Sequence, residues 1–554
     1  MKPFPFRLAM VLLLGAAGSL MAAPKPNILL ICVDDLKPLL ACYGDRTVKS
    51  PNIDRLAARG LLFERAYCNQ AVCAPSRNSL MTGVRPSTLG IYDLATHFRK
   101  AAPAAVTLPQ HFQQQGWKTQ AMGKILHVGH GNGEDPASWS VPHWSPRGSQ
   151  YALPENAASR PPGAAGAKPR GPRGKAYESA NVPDTDYNDG RIAEEAVRRL
   201  QAASQTPDIP FFVAVGFLKP HLPFVAPQKY WDLYDRSAFS LPERRTPPDG
   251  APSYAAQSGG ELRQYAGIPA TGELPDDLQR ALIHGYHAAT SYMDAQLGKV
   301  LDALDSLSLT ENTVIVFWGD HGWHLGDHAM WCKHTNYEQA ARIPLIIAAP
   351  GITPAGGRSQ AMVETVDLYP TLLDLAGLPT PAGPLKLEGK SLVPVLGDPD
   401  ASVKDHIMHL YPRGSRLGRA IRTASHRLVE WKVPGAATDT AELELYDCLN
   451  DPLETKNLAG IQLETAGHLR HLLSSYPEAK PQWKVPPSSG PARPDPNRAA
   501  MFGRRDTNKD GQLTREEFLA DQPDPDKAPA RFPLFDTDKD GVLSREEFLK
   551  AGKP

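Results

Sequence analysis

Short apolar segments recur along this chain at wide intervals, and each of them ends in polar residues. Their continuous hydrophobicity and their content of β-branched residues predict strands that are buried on both faces. The five clearest segments are 27–33, 117–122, 211–215, 313–318 and 343–349. A sheet built from such strands has to be covered on both sides.

Helical patterns lie between several of the predicted strands. Apolar residues recur at helical spacing in 53–58, 192–200 and 288–304, and Gly60 closes the first of these segments. Strands that alternate with helices are typical of an α/β fold. We therefore expect a layered sandwich with a large, mostly parallel central sheet. Strand patterns at 405–411 and 442–447 predict a smaller C-terminal α+β subdomain.

After a proline-rich stretch, the sequence repeats itself with a spacing of 30 residues. Acidic or amide side chains stand at loop positions 1, 3 and 5, a glycine at position 6 and a glutamate at position 12, as in an EF-hand, and position 7 offers its backbone carbonyl. Leu513 and Leu543 at position 8 are expected to pair the two loops. We predict an α-helical EF-hand pair with calcium ligands from Asp506, Asn508, Asp510, Gln512 and Glu517 in the first loop and Asp536, Asp538, Asp540, Val542 and Glu547 in the second.

Charge and targeting signals limit the partners and the compartment. Lysines plus arginines equal aspartates plus glutamates at 60 each, so no overall field attracts nucleic acid, and we expect no such partner. Lys2 and Arg7 precede or flank an apolar run at 8–20, and the small residues Ala22 and Ala23 follow it, which predicts a signal peptide over 1–23. We therefore expect an exported protein, periplasmic or secreted. No later segment reaches the roughly eighteen apolar residues of a membrane span.

Charged and ligand-forming residues follow four of the predicted strands. Open α/β sheets bind ligands beyond the carboxyl ends of their strands, so these residues are expected to share one site. In chain order they are Asp34 and Asp35, Lys124 and His127, Lys219 and His221, and Asp320 and His321, with Lys333 a little further on. Each alone fits a helix cap or a surface charge, but together they predict a functional site.

Three of these residues are carboxylates, and carboxylates that meet in one place repel each other unless a cation lies between them. Because oxygen ligands favour a hard divalent ion, Asp34, Asp35 and Asp320 predict a metal site. We expect calcium there, with magnesium less favoured.

One further motif places a cysteine beside an arginine. The pattern C-x-P-S-R-x-x-L-x-T-G begins at Cys73 and ends at Gly83. Pro75 suits the first turn of a helix, so Cys73 is expected at a helix N-terminus, where free N–H groups and the helix dipole favour an anion. Arg77 adds a fork of hydrogen-bond donors beside it.

This pattern resembles the formylglycine signature of the type I sulfatases. The resemblance implies an alkaline-phosphatase/sulfatase-like sandwich, and it implies that a formylglycine-generating enzyme converts Cys73 into an aldehyde during maturation. It further implies that the metal is bound by Asp34, Asp35, Asp320, His321 and the modified Cys73. By the same resemblance, the residues that grip the sulfate and move protons are Arg77, Lys124, His127, His221 and Lys333.

Within that family the chain is similar to the iduronate-2-sulfatase subgroup. The likeness extends over residues 25–475 and is carried by 34–38, 219–224 and 320–326 among other segments. It implies hydrolysis of sulfate esters on a sulfated polysaccharide or oligosaccharide. Two alternatives stay open: a calcium-dependent glycan-binding protein without activity, and a phosphatase or phosphonate hydrolase of the same superfamily.

These patterns together predict the order of the domains. We expect a signal peptide at 1–23, a sulfatase catalytic domain at 24–400, a C-terminal subdomain at 401–477, a proline-rich linker at 478–498 and the EF-hand pair at 499–554.

Overall fold

The computed structural model describes residues 25–157, 173–484, 496–520 and 528–550. The predicted signal peptide and the central part of the predicted linker lie outside the described residues. The chain divides into two compact units, the first ending at Trp483 and the second beginning at Lys484. The last residues of the first unit are fixed to it, because the N–H of Trp483 donates to the carbonyl oxygen of Gly90 at 2.6 Å.

A seven-stranded sheet forms the centre of the first unit. Its strands are β1 (Asn27–Val33), β2 (Leu61–Tyr67), β3 (Lys118–Gly123), β4 (Phe211–Phe217), β5 (Thr313–Gly319), β6 (Arg342–Ala348) and β7 (Gly357–Glu364). They lie in the order β7-β2-β6-β5-β1-β4-β3. Neighbouring strands are parallel except on the two sides of β6, so β6 alone runs against the others.

The prediction of a mostly parallel central sheet is confirmed. All five predicted segments are strands in it, and their ends differ from the prediction by at most two residues. The pattern did not indicate β2, because Glu64 and Arg65 interrupt its apolar run, and it did not indicate β7, which is a partly polar edge strand.

Helices cover both faces of this sheet. The longer ones are α1 (Pro51–Ala57), α2 (Cys73–Thr82), α3 (Leu108–Gln114), α4 (Asn188–Ser204), α5 (Asp276–Ser306) and α6 (Leu368–Leu375). Helices α2, α3 and α6 pack on the face that holds Ile28 and Leu30. Helices α1, α4 and α5 pack on the opposite face, which holds Leu29 and Ile31. Both faces of β1 are therefore buried, as its unbroken apolar sequence predicts.

A second, antiparallel sheet follows in the same unit. It consists of β8 (His406–Arg413), β9 (Arg416–Thr423), β10 (His426–Lys432) and β11 (Glu442–Asp447), each paired with the next. Helix α7 (Leu463–Ser474) covers it, with Leu469 and Leu473 packed on Met408 and Ile421. This arrangement agrees with the predicted α+β subdomain.

Shorter elements complete the first unit. The short helices are Pro86–Leu89, Phe98–Ala101, Pro154–Ala157, Gln228–Trp231, Glu338–Ala341 and Val393–Gly397. The two-stranded pairs are Arg173–Lys175 with Tyr265–Ala266, Tyr177–Ala180 with Phe224–Pro227, and His324–Leu325 with Trp331–Cys332. Among the described residues, no helix combines the length and the hydropathy that crossing a membrane requires. All six cysteines are free thiols.

The second unit contains two helix–loop–helix repeats. Its helices are α8 (Pro496–Arg505), α9 (Arg515–Leu519), α10 (Ala528–Phe535) and α11 (Arg545–Lys550). The loops include the short strands β12 (Gln512–Thr514) and β13 (Val542–Ser544), which pair antiparallel with Leu513 opposite Leu543. The predicted pairing of the loops through these two leucines is confirmed. Phenylalanine side chains close a small core around them.

Candidate active site

Four parallel strands end at the same edge of the central sheet. Val33, the last residue of β1, lies opposite Gly319 of β5 and Phe217 of β4. Gly123 at the end of β3 lies opposite Gly216 of β4. The residues that follow these four strands therefore meet in one place.

The approach of β3 to β4 requires glycine on both strands. Gly123 has a φ of 74°, and a Cβ there would overlap the carbonyl oxygen of Gly216. A Cβ on Gly216 would in turn overlap the backbone of Lys124. The two glycines therefore allow the chain to turn at the end of β3 and to bring Lys124 to the site.

Asp34 follows β1 and is buried among cations. Its carboxylate pairs with the ammonium group of Lys124 and accepts a hydrogen bond from Arg77 Nη2 at 3.2 Å. Burial raises the pKa of Asp34, but the charge of Lys124 and those of its cationic neighbours outweigh burial and hold this pKa well below its ordinary value. Asp34 is therefore ionised at neutral pH.

Asp35 is held in the left-handed region of the backbone, with a φ of 61°. The hydroxyl of Tyr286 donates to its carbonyl oxygen at 2.8 Å, and its own N–H donates to Asp320 Oδ1 at 3.1 Å. Because a non-glycine residue in this region costs on the order of 1–3 kcal/mol, such contacts are needed to fix it. In this conformation the two carboxylate oxygens accept from Lys333 Nζ at 3.0 and 3.1 Å.

Arg77 contacts residues that follow three of these strands. It is fully buried in α2, and its guanidinium donates to Asp320 Oδ2 at 2.9 Å, to Asp34 and to the carbonyl oxygens of Lys124 and Ile125. Its donors are thus used on protein oxygens, and it is not among the residues that line the cavity described below. The family resemblance implies a grip on sulfate, whereas the structure places Arg77 behind the carboxylates.

Cys73 begins α2, at the helix N-terminus that the motif predicts. Its Sγ lies 3.6 Å from Lys124 Nζ and 3.4 Å from His321 Nε2, and the side chain is buried. Burial raises the pKa of Cys73, but the charges of the surrounding lysines and of His321 outweigh it and hold this pKa well below its ordinary value. Position 73 therefore lies where a negative charge is stabilised.

Four ligand atoms converge at this point. They belong to Asp34, Asp35, Cys73 and His321, they all lie within 4.8 Å of one another, and all four residues are buried. His321 Nδ1 is 3.1 Å from the carbonyl oxygen of Gly322, which leaves its Nε2 directed at the cluster. These four predicted metal ligands are thus in one place.

Asp320, the fifth predicted ligand, lies beside this cluster. Its Oδ1 is 3.6 Å from His321 Nε2 and accepts the N–H of Asp35, while its Oδ2 accepts from Arg77 Nε. Burial raises the pKa of Asp320 to about 7. The carboxylate is therefore close enough to the cluster to join it, and it also fixes its neighbours.

Glu261 is an acidic residue of the site that the sequence pattern did not indicate. Its Oε2 lies 2.8 Å from Lys333 Nζ, and its Oε1 lies 3.2 Å from His221 Nε2. Burial raises the pKa of Glu261, but the charges of Lys333 and His221 outweigh it and hold this pKa well below its ordinary value. Glu261 follows a pair of glycines in a loop, far along the chain from the strands of the central sheet, so no local signal distinguishes it from a solvated acid.

His127 and Lys219 follow strand ends but are used differently. His127 lines the cavity, its Nε2 is 3.1 Å from His130 Nδ1, and its Nδ1 has no hydrogen-bond partner among the described residues. Lys219 is buried, and its Nζ donates to the carbonyl oxygens of His221 and Pro223 at 2.6 and 2.7 Å. Lys219 therefore braces the loop that carries His221 and contributes nothing to the cavity wall.

A cavity of about 1010 Å³ opens over the cluster. Its volume lies at the upper end of the roughly 300–1,000 Å³ that is usual for small-molecule sites. The predicted site residues that line it are Asp34, Cys73, Lys124, His127, His221 and Lys333. Three tyrosines also line it, namely Tyr151, Tyr265 and Tyr411.

The two loops of the second unit carry acidic side chains that turn toward their own loop. In the second loop, carboxylate oxygens of Asp536, Asp538 and Asp540 lie within 4.8 Å of one another. Oδ1 of the first of these is buried and has no hydrogen-bond partner among the described residues. A glutamate closes each loop, because Glu517 accepts the N–H of Thr507 at 3.0 Å and Glu547 accepts the N–H of Thr537 at 2.8 Å.

Comparison with known families defines the class of this protein. Residues 26–378 match the Sulfatase family, residues 326–474 match the family described as N-sulphoglucosamine sulphohydrolase, C-terminal, and residues 499–520 and 530–551 match the EF hand. The chain therefore belongs to the sulfatase family and is a sulfuric ester hydrolase with a C-terminal EF-hand pair. The resemblance inferred from the Cys73 motif is confirmed.

Two of the most similar relatives are named iduronate 2-sulfatase. The chain is 39% identical to iduronate 2-sulfatase of Mus musculus, covering 66% of this chain and 71% of that protein, and 34% identical to iduronate 2-sulfatase of Homo sapiens, covering 78% and 90%. Among solved structures, phosphonate monoester hydrolase of Agrobacterium radiobacter has a TM-score of 0.67 at 22% identity, covering 85% of this chain and 100% of that one. The predicted alkaline-phosphatase/sulfatase-like fold is confirmed.

Proposed function

We propose that this sulfatase removes a sulfate ester from a sulfated carbohydrate, using an aldehyde made from Cys73 and a divalent metal beside it. One observation carries the proposal: the side chain marked by the family signature lies at a helix N-terminus, in contact with Lys124 and His321 and with two buried carboxylates nearby. The relatives named iduronate 2-sulfatase support a sugar as the substrate.

The residues present fit both the aldehyde and the metal. Asp34, Asp35 and His321 offer two carboxylates and an imidazole nitrogen to an ion, with Asp320 beside them. Carboxylate-rich sets suit calcium, whereas magnesium demands a stricter octahedral geometry, so we assign calcium first. When present, the hydrated aldehyde supplies the attacking hydroxyl and the metal polarises a sulfate oxygen.

The chain's own residues bind the sulfate group and move protons. Lys124 and Lys333 line the cavity next to position 73, so their ammonium groups offset the sulfate charge. His221 Nε2 gives its proton to the leaving oxygen as the S–O bond breaks, and a positioned proton transfer of this kind is worth about 10²–10⁴ in rate. His127, whose Nδ1 has no partner among the described residues, accepts a proton as sulfate is expelled. Arg77 serves these groups indirectly by fixing the carboxylates.

A phosphate or phosphonate ester hydrolase is the second candidate, because phosphonate monoester hydrolase shares the fold. We expect the purified protein to release sulfate from sulfated mono- and disaccharides faster than phosphate from matched phosphate esters. Lys124, Lys333 and His221 at the cavity suit a sulfate monoanion. A phosphate dianion is repelled more strongly by the nearby carboxylates of Asp34, Asp35, Asp320 and Glu261. Ion chromatography of both anions measures the ratio.

The substrate panel contains a disaccharide sulfated at O2 of the uronate and an isomer sulfated at O6 of the amino sugar. Faster release from the first isomer supports an iduronate-2-sulfatase-like specificity. Phosphate release that exceeds sulfate release would assign the chain to ester hydrolysis at phosphorus. Glycan binding without release of either anion would leave only a binding function.

We also propose that calcium stabilises the second unit. The three carboxylates of the second loop repel one another without a cation, and one of their oxygens is buried without a hydrogen-bond partner among the described residues. Helix α9 has only 5 residues. Such short helices suit a structural module rather than a calcium sensor that opens a long groove.

The variant E517Q/E547Q is expected to separate the two metal requirements. It removes the ligand at position 12 of both loops, so the calcium-dependent rise in the unfolding temperature of the second unit is lost, while sulfate release persists. Chelation of this variant then abolishes activity, and added calcium restores it more fully than magnesium. Scanning calorimetry and sulfate release measure the two effects.

The matched control is E516Q/E546Q, which changes the neighbouring glutamates that are not loop ligands. It should keep the calcium-dependent unfolding temperature. A calcium response that survives in E517Q/E547Q would contradict calcium binding by these loops, and activity that is insensitive to chelation would contradict the active-site metal.

We infer export and maturation from the N-terminal pattern and the intact signature. Lys2, Arg7 and the apolar run at 8–20 have the order of a signal peptide, and the pattern from Cys73 to Gly83 is the one a formylglycine-generating enzyme would act on.

A further inference from the structure

Two cations that line the cavity, Lys333 and His221, share one carboxylate. Lys333 Nζ lies 3.0 Å from Asp35 Oδ1 and 2.8 Å from Glu261 Oε2. His221 Nε2 lies 3.2 Å from Glu261 Oε1 and at least 3.9 Å from the carboxylates of Asp34 and Asp35. Among the described residues, Glu261 is therefore the one acid outside the proposed metal cluster that pairs with these cations.

This carboxylate gains importance when a metal is bound. A divalent ion on Asp34 and Asp35 takes up their negative charge, and Lys333 and His221 then repel each other unless another anion remains between them. Glu261 can separate the two cations, because one of its oxygens lies next to Lys333 and the other next to His221.

The ring of His221 has a defined orientation. Its Nδ1 lies 2.5 Å from the carbonyl oxygen of Leu222, so Nδ1–H donates there and Nε2 is the nitrogen left for the cavity. Glu261 Oε1 meets Nε2 on that side. Arg173 Nη1 lies 3.8 Å from the same oxygen, and its guanidinium lies over the ring of Tyr265, so a third cation faces this carboxylate.

We propose that Glu261 is a positioning residue for departure of the leaving group, holding His221 Nε2 and Lys333 Nζ beside the ester oxygen. The inference rests on the proposed sulfatase function. The Nε2–H of His221 is shared between Glu261 Oε1 and the ester oxygen. As the S–O bond breaks, its electron pair stays on the leaving oxygen, this proton passes to that oxygen, and the imidazole becomes neutral. Glu261 lines the same cavity, keeps its charge and exchanges no proton with the substrate.

The test compares leaving groups in the variant E261Q, which keeps the size of the side chain and removes its charge. The leaving group of a sugar sulfate is a weakly acidic alcohol, and its oxygen needs the proton from His221 to depart. The kcat for sugar sulfates is therefore expected to fall on the order of 10²-fold. Aryl sulfates such as 4-nitrophenyl sulfate leave without it, so their kcat is expected to fall only a few-fold. A plot of log kcat against the pKa of the leaving alcohol or phenol therefore becomes steeper, and E261D recovers part of the loss.

The control is E273Q, which removes a mostly exposed glutamate paired with Arg245 and should leave the slope unchanged. Equal loss of kcat on sugar and aryl sulfates in E261Q, or no loss on either, would overturn the positioning role while leaving the sulfatase function intact. If E261Q does not fold, the slope of E261D decides in the same way. A wild-type protein inactive on every sulfate ester would overturn both proposals.

Discussion

Substitution of Cys73 by alanine is expected to abolish sulfate release, with kcat falling on the order of 10⁵–10⁶-fold, as when a catalytic nucleophile is removed. Alanine cannot be oxidised to the aldehyde, and no other described cysteine has its sulfur in the cluster of metal-ligand atoms. The fold should survive, because alanine is a good helix former and the change removes only one sulfur atom from α2. Sulfate release and thermal unfolding measure the two effects.

Mass spectrometry of the wild-type peptide that contains Cys73 should find an aldehyde in place of the thiol. The matched control is Cys68→Ala, another buried free thiol five residues upstream, whose folded fraction should keep full activity. Full activity in Cys73→Ala, or an active wild-type preparation with only the thiol at this position, would refute the proposed nucleophile.

Substitution of Arg77 by methionine is expected to lower the free energy of unfolding by about 3–5 kcal/mol, the usual cost of removing one partner from a buried ion pair. Methionine fills much of the volume but leaves Asp34 and Asp320 without the guanidinium that both accept from. Activity should fall with stability, because the same carboxylates are placed for the proposed metal. Urea denaturation followed by circular dichroism measures the change.

Arg77→Lys tests charge against geometry. Lysine keeps the charge but cannot offer the planar fork, so it should recover stability only in part. The surface control is Arg59→Met, which breaks a partly exposed pair with Asp305 and should cost less than about 1 kcal/mol. Similar decreases in the free energy of unfolding for Arg77→Met and Arg59→Met would show that the buried ion pairs of Arg77 stabilise the fold no more than a surface pair does.

Much of the fold was predictable because strands buried on both faces leave an unbroken apolar signal. β1 has it throughout, and Asp34 and Asp35 directly after it mark the ligand-binding edge. The same logic located Lys124, His221 and Asp320, since parallel neighbours in register end together. The sequence therefore predicted Asp34, Lys124 and His221, which line the cavity together with Cys73.

Other features depend on tertiary contacts that leave no local signal. The reversed direction of β6 follows from its pairing with β2 and β5, and an apolar run has no direction. Glu261 acquires its partners only when a loop closes over the sheet edge. Lys219 follows a strand end as His221 does, and the sequence does not show that its ammonium group donates to protein carbonyl oxygens. The donors of Arg77 are likewise seen to contact Asp34, Asp320 and backbone oxygens only in the folded chain.

The depth of Cys73 has a consequence for how active molecules arise. The side chain is 2% exposed, and all ten residues of α2 are buried. On the proposed chemistry, an oxidising enzyme has to reach this residue while the chain is still extended. A molecule that folds first is then inert until it unfolds again. The specific activity of a preparation would thus depend on the rate of Cys73 oxidation relative to the rate of folding. Slower folding would raise the specific activity without any change of sequence.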